Sequence, residues 1–162
     1  MATRRLLAPV AALLVALAAG CGGGSAVPSG DAGAFAVKVM HLIVTTQYGQ
    51  AWRDLHPDDQ KVAPLAEYVA CENRSPIMVR PISVRVLDVG ERAVDLGNGR
   101  SVRSKAVQLR LVFPGAGNIL VRTVHVVAVK SDWKWVLPAR RFQDYADDAC
   151  PTATAPPPTP ST

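Results

Sequence analysis

The spacing of apolar positions changes period once along this chain. Within AGAFAVKVMHLIVTTQ, Phe35, Val39, Leu42, Ile43 and Thr46 recur at helical intervals and predict an amphipathic helix. Gly49 interrupts it, and Ala51 to Leu55 read as a second helical turn. Pro57 stops that turn, because the residue before a proline avoids the helical region, so His56 falls at a helix end. Asp58 or Asp59 is placed to cap a short turn by accepting backbone N–H bonds. Pro64 fits the first turn of the next helix, where Leu65, Tyr68, Val69 and Glu72 follow at helical spacing and Cys71 lies near the end.

After Ser75 the period becomes two. Ile82, Val84 and Val86 alternate with Ser83 and Arg85, and ERAVDL continues as a strand beyond Gly90. The turn Gly97-Asn98-Gly99 leads into a strand in which Val107, Leu109 and Leu111 oppose Gln108 and Arg110. Pro114 to Gly117 turn the chain into NILVRTVHVVAVK, apolar on both faces over its second half as a central strand is. Ser131-Asp132 then turns into WKWVLP, and ARRFQDYADDAC reads as a short polar segment. Helices followed by antiparallel strands make an α+β chain, with the N-terminal helices packed on one face of a curved sheet.

The ends have a different character. Arg4 and Arg5 precede an uncharged run from Leu6 to Gly20, which has the layout of a secretory signal and is too short, and broken by Pro9, to span a bilayer. Leu17, Ala18, Ala19 and Gly20 lead to Cys21. This resembles the bacterial lipobox, whose small residues fit a signal peptidase and whose cysteine thiol takes the diacylglycerol. The lipobox favours Leu, Val or Ile three residues before the cysteine, where this chain has Ala18. The division that follows is residues 1–20 as signal, 21–33 as a flexible Gly/Ser tether, 34–150 as one domain and 151–162 as a Pro/Thr tail with nothing to anchor it. The implied address is the outer face of the cytoplasmic membrane, with the membrane itself reached through lipid on Cys21.

Composition narrows the partners. The chain has 18 basic and 13 acidic residues, and without Arg4 and Arg5 the excess is about +3. The arginines are spread along strands rather than clustered, which argues against a nucleic-acid surface. Of three cysteines, Cys71 and Cys150 remain once Cys21 is acylated. In an oxidising compartment such a pair forms a disulfide, the alternatives being free thiols or a metal site. Neither cysteine has a nearby His or Cys at ligand spacing, so no metal is expected, and no motif points to a cofactor.

AWRDLHPDDQKVAPLAEYVAC and WKWVLP followed by DACP resemble stretches of small bacterial lipoproteins with an NTF2-like (cystatin-like cone) domain, the likeness covering about residues 34–151. The resemblance implies a fold and an address rather than a reaction, although such cones include ketosteroid isomerases and polyketide cyclases. His125, amid valines on the long strand, is the candidate base, and Trp133 and Trp135 share a strand face, so the three are candidate pocket residues. Packing roles are preferred for all three. His56 reads as structural, His41 has no partner in sequence, and Asp144, Asp147 and Asp148 lack the spacing of a calcium loop. The leading expectation is a non-catalytic accessory domain that recognises an envelope partner. A module for a small apolar ligand comes second, and an isomerase-like enzyme third. An enclosed pocket with converging polar groups favours the latter two, and a filled core with an exposed apolar sheet face the first.

Overall fold

The computed structural model describes residues 30–77, 79–97, 99–115 and 117–151. The expected signal, Cys21, most of the tether and the tail beyond Pro151 lie outside them. The described chain is α+β. Four helices, α1 (Ala32–Val44), α2 (Tyr48–Arg53), α3 (Pro57–Val62) and α4 (Leu65–Arg74), precede an antiparallel open sheet of β1 (Ser83–Asp95), β2 (Ser101–Val112), β3 (Ile119–Val129) and β4 (Asp132–Val136) in that spatial order. A fifth helix, α5 (Ala139–Ala146), follows. The stretch read as a short polar segment, ARRFQDYADDAC, thus contains a helix, in which Phe142 and Tyr145, three apart, bury one side while the other side is charged.

Asp31 caps α1 by accepting from the Gly33 N–H at 2.9 Å, so the domain begins a little earlier than residue 34. The helix lays Ala36, Val39 and Met40 on the sheet, where Val107, Leu109, Leu111, Val124 and Val126 face it. Each fully buried Leu or Val here contributes about 1.5–3 kcal/mol. Alternation would carry β1 out of this arrangement, since VRVLDV loses its period at Leu87. A β-bulge there restores it: Val86 pairs with Leu109 and Asp88 with Gln108, which returns Val89 to the helix-facing side opposite Val107.

The segment Asp54–His56 covers the outer edge of β4. His56 N–H donates to the Trp135 carbonyl at 2.8 Å, and Trp135 N–H to the Asp54 carbonyl at 3.0 Å. The Trp135 indole donates to the Ala51 carbonyl at 2.8 Å, and Trp52 to that of Ala63 at 2.7 Å. A free edge would template further pairing, and this segment blocks it. The turn after β1 depends on Gly97, whose φ of +78° and lack of a Cβ let the Phe142 ring lie where a side chain would stand.

Cys71 and Cys150 are bonded, with Cα atoms 5.1 Å apart, inside the range that disulfide geometry requires. The bond ties the end of α4 to the chain just after α5. Among the described residues, no helix is long and apolar enough to cross a membrane.

Candidate functional site

Sheet, α1, the end of α4 and α5 border a partly open cavity of about 350 Å³. Its apolar wall comes from Val39, Met40 and Ile43 of α1, Leu111, Leu120 and Val124 of the sheet, Phe113 and Trp135. Its polar wall comes from Tyr48, Glu72, Arg122, Arg140, Arg141 and Asp144. A mostly apolar hollow of this size with a few converging polar groups is the form of a small-molecule site.

Glu72 of α4 and Arg140, Arg141 and Asp144 of α5 supply most of the polar wall, and the disulfide links these two helical ends, while Tyr48 comes from α2 and Arg122 from β3. Tyr68 and Glu72, one turn apart, share a face of α4, and Arg141 and Tyr145, one turn apart, share a face of α5. Glu72, 6% exposed, accepts from Arg141 Nη2 and, at 3.0 Å, from the Tyr145 hydroxyl. Arg141 Nε is buried with no acceptor among the described residues. The rings of Tyr68 and Tyr145 lie 6.0 Å apart. Burial pushes the Tyr68 hydroxyl up to about 12 and raises those of Tyr48 and Tyr145, against the pull of the Arg141 charge. The three phenols therefore stay neutral, and that of Tyr145 donates to Glu72. The sequence reading missed this cluster. The available signal was the Tyr68–Glu72 and Arg141–Tyr145 spacing, the first pair flanking Cys71 and the second preceding Cys150.

Of the three candidate pocket residues, only Trp135 lines the cavity. Trp133 packs on the core and borders a separate depression with Phe35, Lys38 and Asp54. His125 lies on the opposite sheet face, because it pairs with Ala106 and Val136 while the helix-facing positions of β3 are Val124 and Val126. Its Nδ1 lies 2.9 Å from the Ser104 hydroxyl, which itself donates to the Arg92 carbonyl, so the ring is the donor in this pair. Burial, with Arg92 nearby, lowers its pKa. Strand parity thus separates His125 from Trp135.

The Leu-His-Pro-Asp-Asp stretch is structural. His56, rather than either aspartate, caps α3, with Nδ1 accepting from the Asp58 N–H at 3.2 Å and Pro57 opening the helix. It therefore serves a helix start and not the terminal carbonyls of a preceding helix. Asp59, wholly buried, accepts from the Leu137 N–H at 2.8 Å through Oδ2, while Oδ1 has no partner among the described residues. Burial pushes its pKa up to about 7, opposed by the Leu137 N–H. His41 is exposed on α1. Of the acidic trio, Asp144 reaches the cavity wall and Asp147 accepts from Gln143 at 2.9 Å. Among the described residues, no group of three or more His, Cys, Asp or Glu side chains could hold a metal ion.

Asp59 makes stability depend on pH. A carboxyl whose folded pKa lies above its unfolded value binds more protons when folded. Its favourable contribution is full below about pH 4 and is lost as pH rises towards about 7. The loss amounts to about 4 kcal/mol. His56, with a lowered pKa, acts in the opposite sense, its contribution being lost as pH falls. Asp59→Asn keeps an acceptor for Leu137 and removes the titration. Urea denaturation from pH 4 to pH 7.5 is expected to show the variant gaining on wild type steadily as pH rises. Parallel curves would show that Asp59 does not titrate in this window.

No known protein family, curated protein or solved structure matches the chain.

Proposed function

We propose that this chain is a non-catalytic, lipid-anchored extracytoplasmic domain with an NTF2-like architecture, and that it binds a small, largely apolar ligand in the cavity behind α1. The carrying observation is the hollow itself: about 350 Å³ walled by Val39, Met40, Ile43, Leu111 and Val124. Helices on one face of an antiparallel sheet accord with the NTF2-like reading. The polar cluster favours binding over acid–base chemistry. Glu72 is committed to Arg141 and Tyr145, the tyrosines are held in their neutral form, and His125 stands on the other side of the sheet.

Ile43→Trp places an indole in the cavity from α1. Decan-1-ol titrated calorimetrically into the full chain carrying Cys21→Ser is expected to bind, and Ile43→Trp to weaken it at least tenfold with an unchanged circular dichroism spectrum. Undiminished binding to the filled variant would place the ligand elsewhere and overturn the reading. The lipid anchor has its own test. Cys21→Ser is expected to move the protein from the membrane to the soluble fraction, because stable anchoring needs the acyl chains. Persistent membrane association would refute lipidation at Cys21.

A second reading, recognition of an envelope protein, is favoured by one observation. Ile82 with Val86, Leu87 and Val89 of the edge strand β1, and Ile119 and Val121 at the start of β3, are exposed.

A further inference from the structure

The charges on the cavity wall are unevenly used. Of its three arginines, Arg141 is committed to Glu72. Arg122 and Arg140 make no ion pair among the described residues and are exposed. Arg122 also breaks the pattern of its strand. Leu120, Val124 and Val126 share its side of β3 and pack in or against the core, yet the position between Leu120 and Val124 holds a guanidinium at the cavity. Among the described residues, Asp144 is the one wall carboxylate besides Glu72, so their charges on the wall sum to one positive unit.

We infer that the cavity takes a monoanionic amphiphile, a carboxylate on a short apolar body, with Arg122 and Arg140 holding the head and the α1 side of the cavity holding the body. The inference rests on the ligand-binding reading. Two exposed guanidiniums stay hydrated while the site is empty and offer planar donor forks that match a carboxylate. A cationic head would meet two unpaired like charges, and a doubly charged phosphate would exceed the wall's single positive excess. At roughly 30 Å³ per non-hydrogen atom, the space that a water molecule takes in the liquid, a cavity of about 350 Å³ holds about a dozen such atoms. Decanoate has that size.

The test compares decanoate with decan-1-ol by titration calorimetry on the full chain carrying Cys21→Ser. Decanoate is expected to bind about tenfold more tightly at low salt, as charge-assisted hydrogen bonds confer, with the preference shrinking as salt rises. Arg122→Gln with Arg140→Gln, both at exposed positions that spare the core, is expected to bring the two affinities within about twofold, chiefly by weakening that of decanoate. Equal affinities in the starting protein, or a preference that survives the double substitution, would overturn the inference and leave ligand binding standing. Failure of both probes to bind would overturn both.

Discussion

Replacing Cys71 and Cys150 together by alanine is expected to lower the unfolding free energy by about 4–5 kcal/mol. The bond spans 79 residues, and closing so long a loop removes much of the freedom of the unfolded chain. The folded state loses as well. Cys71 is buried in the cavity wall beside Glu72, and Pro151, buried next to Cys150, lines the same space. Without the bond, α4 and α5 are held to each other by the Glu72–Arg141–Tyr145 contacts and by packing. Urea denaturation of the oxidised protein and the double variant measures the difference, and reductant should bring wild type close to the variant. Free thiols at both positions on alkylation and mass spectrometry, or equal stabilities, would show that this bond does not hold the domain.

The second large effect belongs to Glu72. Glu72→Ala removes the acceptor of the Tyr145 hydroxyl and leaves Arg141 with a buried, unpaired Nε and no carboxylate. The expected cost is about 2–4 kcal/mol, less than for a wholly buried pair because the Arg141 side chain keeps a third of its surface in water. Arg141→Ala on the Glu72→Ala background should add little. The double-mutant cycle is expected to give a coupling of about 1–3 kcal/mol. A coupling near zero would mean that the two side chains are neighbours without being partners.

The parts of this fold that the sequence made legible are those fixed by local period. Val107, Leu109 and Leu111 announce their shared face through alternation, and β3 its central place through valines on both sides. The parts that escaped depend on contacts distant in sequence or on a broken period. Leu87 interrupts alternation, and only the register against β2 shows that the interruption is a bulge. The α5 helix is so polar that Phe142 and Tyr145 were too few to declare it, yet those two side chains dock it. Glu72 and Arg141 stand 69 residues apart. Each looks like an ordinary surface charge until Cys71 and Cys150 bring their helices together. His125 attracted attention as a histidine among valines, but parity along β3 places it with Ser104 on the face away from the cavity. The pocket role that residue type suggested for His125 thus gives way to the preferred one, a histidine hydrogen-bonded to a neighbour.

The location of a bound apolar chain tests the central claim most directly. Intermolecular nuclear Overhauser effects between decan-1-ol and methyl-labelled protein report which side chains lie against the ligand. The account predicts contacts to the methyls of Ile43, Leu111 and Val124 on the cavity wall, and none to Val127, which alternates with Val124 and Val126 onto the other sheet face and packs with Leu96. Contacts confined to Ile82, Leu87 and Val121, with the wall methyls silent, would contradict it and assign the apolar affinity of this protein to its exposed strands.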